Sequence, residues 1–171
     1  MLGSRVQDAF NGHINAEMFS SYLYLSMSAY FDSQNLTGMS SWMKVQAQEE
    51  LTHAMKFFTF LDDRGGRVIL SSIETPRSEW GSALEVFQDA LEHERMVTGL
   101  VGDLAELALA ERDHASSTFL QWFITEQVEE ESVAQSIVDK LKIIGDNPVA
   151  IYMLDGELGQ RTLAASPPSG V

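Results

Sequence analysis

Apolar residues recur along this chain in steps of three and four, the spacing that places side chains on one face of an α-helix. Four such stripes can be traced. The first reads Phe10, Ile14, Glu17, Ser21, Tyr24, Ser28, Phe31, and the second Met39, Met43, Gln46, Glu50, His53, Phe57, Phe60. The third reads Leu84, Phe87, Leu91, Glu94, Thr98, Val101, Ala105, Ala108, and the fourth Leu120, Phe123, Gln127, Glu130, Ala134, Ile137, Leu141, Ile144. The spacing predicts helices over about 4–33, 38–64, 82–110 and 114–144. Local signals frame them. Ser4-x-x-Gln7 and Ser82-x-x-Glu85 have the form of capping boxes, Thr37 and Asp113 of caps, and Gly65-Gly66 and Gly145 of stops. Asn147-Pro148, a cap followed by proline at the first helical position, opens a short fifth helix over about 148–160. Residues 163–171 supply nothing to a core and are expected to be disordered, leaving one domain over 1–162.

Helices one and two are joined tightly, as are three and four, so each pair is expected to be antiparallel. The connection between two and three, about residues 66–81, contains Val68-Ile69-Leu70, Pro76 and Trp80. Stretched at ~3.3 Å per residue it spans ~50 Å, enough to return the chain to its starting end. Helices two and three then run parallel. The predicted fold is all-α: a four-helix bundle with one long crossover and a short C-terminal helix.

Every stripe is apolar towards its ends and carries a carboxylate near its midpoint. In a bundle of similar-length helices the midpoints share one height, so Glu17, Glu50, Glu94 and Glu130 should converge in the core. Four buried carboxylates without counter-charge would cost several kcal/mol each, and no Lys or Arg lies on the central part of any stripe. They must hold protons or bind cations. His53, one turn from Glu50, adds a nitrogen donor and Gln127 a carbonyl oxygen. This mixed oxygen and nitrogen set suits iron or manganese, and zinc can occupy it. Two metals ~3.5–4 Å apart and bridged by a carboxylate is the expected arrangement, with Glu50 as the bridge.

A lone Glu-x-x-His on a helix says little, and Glu-rich runs such as Glu129-Glu130-Glu131 are ordinarily solvated faces. The weight lies in all four carboxylates falling at mid-stripe together. Tyr24 shares the face of Glu17 and can satisfy a carboxylate or assist oxygen chemistry. His13, His93 and His114 have no comparable setting and are expected on the surface; the methionines are expected to be packing residues.

Bulk composition narrows the classes. The chain has 171 residues and a net charge of −14, from 25 Asp+Glu against 11 Lys+Arg. That argues against nucleic acid, which is held by cationic side chains, and suits cation handling, although acidic soluble proteins are common. The absence of Cys excludes thiolate sites and disulfides. No apolar run approaches the ~20 residues of a membrane helix. The opening MLGSRVQDAF lacks the features of a secretory signal, so a cytoplasmic location is expected by default.

With these residues in hand, the chain resembles the prokaryotic non-haem ferritins over residues 1 to 162. The resemblance rests on Asn15-Ala16-Glu17 with Tyr22-Leu23-Tyr24, on the run Gln48 to Met55, on His93-Glu94, and on Phe119 to Phe123 leading into Glu126 to Glu131. It implies a ferroxidase centre with Glu17, Glu50 and His53 around one iron, and Glu94 and Glu130 at the second, with Gln127 close by. It also implies a third, weaker iron site at Glu49, Glu126 and Glu129, sharing Glu130. Such proteins oxidise Fe(II) with O2 or H2O2 and store a ferric oxy-hydroxide mineral in a hollow homo-oligomeric shell, usually a 24-mer. The fifth helix matches the one that lines the four-fold axes. Bacterioferritin-like sites carry a second Glu-x-x-His where this chain has Gln127 and Glu130, and a haem-ligating Met where it has Leu51. Haem is therefore not expected, and the two metal sites should be unequal. A rubrerythrin-type peroxidase, which usually carries a Cys-rich domain, and a storage shell without an oxidase are the rival readings.

Overall fold

The computed structural model describes residues 2–163; the expectation of disorder falls, apart from Leu163, outside them. Five helices and no strand form among the described residues: α1 (Ser4–Ser33), α2 (Thr37–Asp63), α3 (Ala83–Ala110), α4 (His114–Ile144) and α5 (Pro148–Leu158). The all-α bundle with a short fifth helix is the fold that the stripes predict. None of these helices is long and apolar enough to cross a membrane.

Local sequence accounts for the starts of α3, α4 and α5. Ser82 accepts the Glu85 N–H, Asp113 that of Ser116, and Asn147 those of Val149 and Ala150, with Pro148 at the first turn. Each cap satisfies backbone donors that a helix end otherwise leaves open. The first two helices differ from expectation. The cap position of α1 is Gly3, without a side-chain bond, and the Gln7 amide oxygen instead receives the Arg67 N–H at 2.9 Å. Thr37 lies inside α2 instead of capping it. The carboxylate of Asp155, on α5, takes the Gly38 and Met39 N–H groups at 3.1 and 2.7 Å. Gly38 permits that approach, since a Cβ there would stand 1.8 Å from the Asp155 carbonyl oxygen.

The crossover is fastened along α1 by polar side chains. Asn11 donates to the Arg67 carbonyl and accepts from the Ile69 N–H, Asn15 donates to the Ser71 and Ser72 carbonyls, and Ser26 donates to that of Arg77. Loop residues of rising number thus meet α1 residues of rising number. The connection runs parallel to α1 and delivers α3 to the end where α1 finishes, so α2 and α3 are parallel.

Two apolar clusters fill the bundle. One contains Phe10, Ile14, Phe57, Val101, Leu120 and Phe123; the other contains Met27, Phe31, Met43, Phe87, Ile137 and Leu141. Burial of each large apolar side chain contributes ~1.5–3 kcal/mol. Between them lies a belt of buried polar residues, and that belt positions the site.

Candidate metal centre

Glu17 on α1, Glu50 on α2, Glu94 on α3 and Glu130 on α4 are all buried, as are Gln46, His53 and Gln127. Each is set inward by the helical period that buries its apolar neighbours one and two turns away. Glu17, Glu50 and His53 each offer a ligand atom within 4.8 Å of the others, and the His53 Nδ1 stands 3.4 Å from Glu50 Oε2. On the opposite side Glu94 accepts from the Tyr24 hydroxyl in a very short hydrogen bond, and from Gln127 Nε2 at 3.2 Å. Gln46 joins the two sides, its amide nitrogen donating to Glu50 Oε1 at 2.8 Å and to Glu130 Oε2 at 2.9 Å.

Burial dominates the electrostatics. It pushes Glu50 up to about 8, with the charges of Glu17 and Glu130 adding to the rise. Glu94 also rises to about 8 through burial and the charge of Glu50, and Glu130 to about 7 through burial and Glu94. Glu17 is the exception. Burial pushes it up, but the His13 contact and the charges of His13 and His53 outweigh that and lower it. Burial also pulls His53 down, yet its carboxylate neighbours, Glu50 first, raise it to about 9. Tyr24 is raised well above its ordinary value by burial and by Glu94. A buried cluster that must hold protons to exist without a cation is one that a cation can occupy by displacing them. Glu17 Oε2 is buried without a hydrogen-bond partner, an oxygen left for a cation.

A family profile described as Ferritin-like domain matches residues 7–144. The chain belongs to the ferritin family. A relative from Bacteroides fragilis, named bacterial non-heme ferritin, is 47% identical over 161 residues, covering 94% of this chain and all of that one. A Staphylococcus aureus protein of the same name is 36% identical, covering 95% and 98%. Among solved structures, an open pore ferritin from Archaeoglobus fulgidus superposes with a TM-score of 0.94 at 51% identity, covering 95% and 99% of the two chains.

In this ferritin, two histidines lie where the sequence does not put them. His13 and His93, expected on the surface, are buried. His13 Nε2 stands 2.9 Å from Glu17 Oε1, off the hydrogen-bond line, and packs on Phe57. His93 Nε2 bonds Ser20 Oγ at 2.7 Å, and burial holds its imidazole down at about 4. Ser20 is fully buried, whereas Ser21, which the stripe includes, is half-buried and donates to the Ala47 carbonyl. The core-facing surface of a helix is ~100° wide, and on α1 it takes in His13 and Ser20 beside the stripe of three- and four-residue steps. Of the remaining predicted residues, Glu49 and Glu126 are half-buried and Glu129 is exposed. Glu49 forms a close ion pair with Arg161, a cation no stripe contains.

Proposed function

We propose that this ferritin oxidises Fe(II) to Fe(III) at a di-iron ferroxidase centre and stores the product as a ferric oxy-hydroxide mineral inside a hollow shell, a 24-mer. The observation that carries the reading is the buried set Glu17, Glu50, His53, Glu94 and Glu130, with one carboxylate from each long helix. In the proposal Glu17 and His53 hold one Fe(II), Glu94 and Glu130 the other, and Glu50 bridges them; Gln127 lies beside the second. Carboxylate ligands favour Fe(III) over Fe(II), because their negative charge stabilises the higher charge.

Two Fe(II) give one electron each. With O2 as oxidant and two protons the product is hydrogen peroxide; with H2O2 as oxidant and two protons it is two waters. Tyr24, through its bond to Glu94, fixes that carboxylate. Fe(III) then leaves by Glu49, Glu126 and Glu129 towards the cavity, in a cytoplasmic protein with no haem. The relatives named as non-heme ferritins support the iron chemistry by similarity.

The test is to add Fe(II) in air to the metal-free protein, follow ferric absorbance, and measure particle mass with iron content. Oxidation well above the rate in buffer, and iron carried by a large particle, are expected. Oxidation no faster than buffer would overturn the ferroxidase reading; a particle without iron would overturn storage.

A further inference from the structure

Arg161 follows α5 and reaches back to the polar belt. Its guanidinium lies over the Trp42 ring, 4.3 Å from the centroid. Nη1 donates to Gln46 Oε1 at 2.7 Å, and Nη2 forms the close pair with Glu49. Gln46 is fully buried. An amide has a donor end and an acceptor end that differ only in chemistry, so its orientation is decided by its partners. A cation on the oxygen turns both N–H bonds towards Glu50 and Glu130, and the rigid planar fork of the guanidinium reaches Gln46 and Glu49 from two nitrogens, a geometry a lysine ammonium does not reproduce.

We infer that Arg161 is a positioning residue for the carboxylate cluster and the resident cation at Glu49: through Gln46 it sets how Glu50 and Glu130 are presented, and a metal ion taking Glu49 must first displace it. The inference rests on the reading of the cluster as a metal centre. It makes Arg161, just beyond the end of α5, part of the site. It also makes entry of a cation at Glu49 a competition instead of a vacancy filled.

The experiment titrates zinc(II), a redox-inert probe for oxygen and nitrogen ligands, into the assembled metal-free protein by calorimetry. Arg161→Ala is expected to bind one further zinc per chain, or its weakest zinc about tenfold more tightly, since a charge-assisted bond no longer competes. Adding Glu49→Gln to that variant removes the gain. Wild-type and Arg161→Ala isotherms that coincide, or a gain that survives Glu49→Gln, overturn the competing-cation role. In a single turnover, Fe(II) oxidation by Arg161→Ala is expected to slow about three- to tenfold, the cost of an amide no longer held. Arg161→Lys separates the roles: it returns the zinc isotherm to wild type but leaves oxidation slow. Full-speed oxidation in Arg161→Ala, or rescue of both readouts by lysine, overturns the positioning role in favour of a plain anchor for the chain end. A wild-type protein that oxidises no iron refutes the ferroxidase reading, and the zinc isotherms still report on Arg161.

Discussion

The α1–α2 side of the polar belt and the α3–α4 side bury their carboxylates at the same depth but in different company. Glu17 and Glu50 have imidazoles beside them, at His13 and His53. Among the described residues Glu94 has neutral donors, the Tyr24 hydroxyl and the Gln127 amide, and Glu130 has the Gln46 amide with Arg161 acting on it through its charge. The result is that Glu17 is lowered while Glu94 and Glu130 rise to about 8 and about 7. Burial is common to both sides. Only at Glu17 do cationic partners outweigh it, so Glu17 stands charged while Glu50, Glu94 and Glu130 must first give up protons. Glu50 is raised to about 8 even against the pull of His53.

The contrast can be broken most severely at His53. His53→Ala removes the nitrogen donor from the α1–α2 side, and Fe(II) oxidation is expected to fall by about 100-fold, whereas Gln127→Ala on the other side should cost no more than about tenfold. Ferric absorbance after mixing measures both, with far-UV circular dichroism to show that the bundle persists. Equal losses would mean the two halves do not differ in the way their partners suggest.

Proton content sharpens the comparison next. Glu50, Glu94 and Glu130 stand above their ordinary value of 4.5, at about 8, 8 and 7, and His53 stands above its 6.5, at about 9. Groups raised in the folded state stabilise it fully below their unfolded values and lose that contribution as pH rises through the folded ones. Glu17, being lowered, acts oppositely, and only at pH below its ordinary 4.5. The melting temperature of the metal-free protein should therefore drop between pH 6 and 9, and zinc affinity should rise by about tenfold per pH unit for each proton displaced. Thermal scans and calorimetry in buffers of different ionisation heat read the two effects. A flat melting temperature across that window would contradict the electrostatics of both halves.

The smallest effect is expected at Tyr24. Tyr24→Phe leaves Glu94 with one donor fewer, so oxidation should slow about three- to tenfold, in keeping with one lost hydrogen bond. Zinc binding at the Glu17, Glu50 and His53 side should be unchanged. A matching loss there would mean that Tyr24 supports the whole belt.

The helices and the meeting of four carboxylates are legible in the sequence because both follow from one period: apolar steps of three and four with a polar residue at the middle. Caps made by near neighbours, at Ser82, Asp113 and Asn147, are legible for the same reason. Where a partner comes from far along the chain, local rules misdirect. Gln7 serves Arg67 and not its own helix, and α2 begins under Asp155. His13 and His93 were hidden because a stripe one residue wide omits the flanks of the buried face. Arg161 was hidden because nothing in its own neighbourhood points to Gln46, 115 positions away.

The hold of Asp155 on Gly38 and Met39 means that the leading turn of α2 is on loan. Were α5 to peel away, that turn would be the first to fray, and the fraying would start only two turns before Gln46. Amide hydrogen exchange along the opening of α2 is thus a gauge of whether α5 is seated, read at a distance from α5 itself.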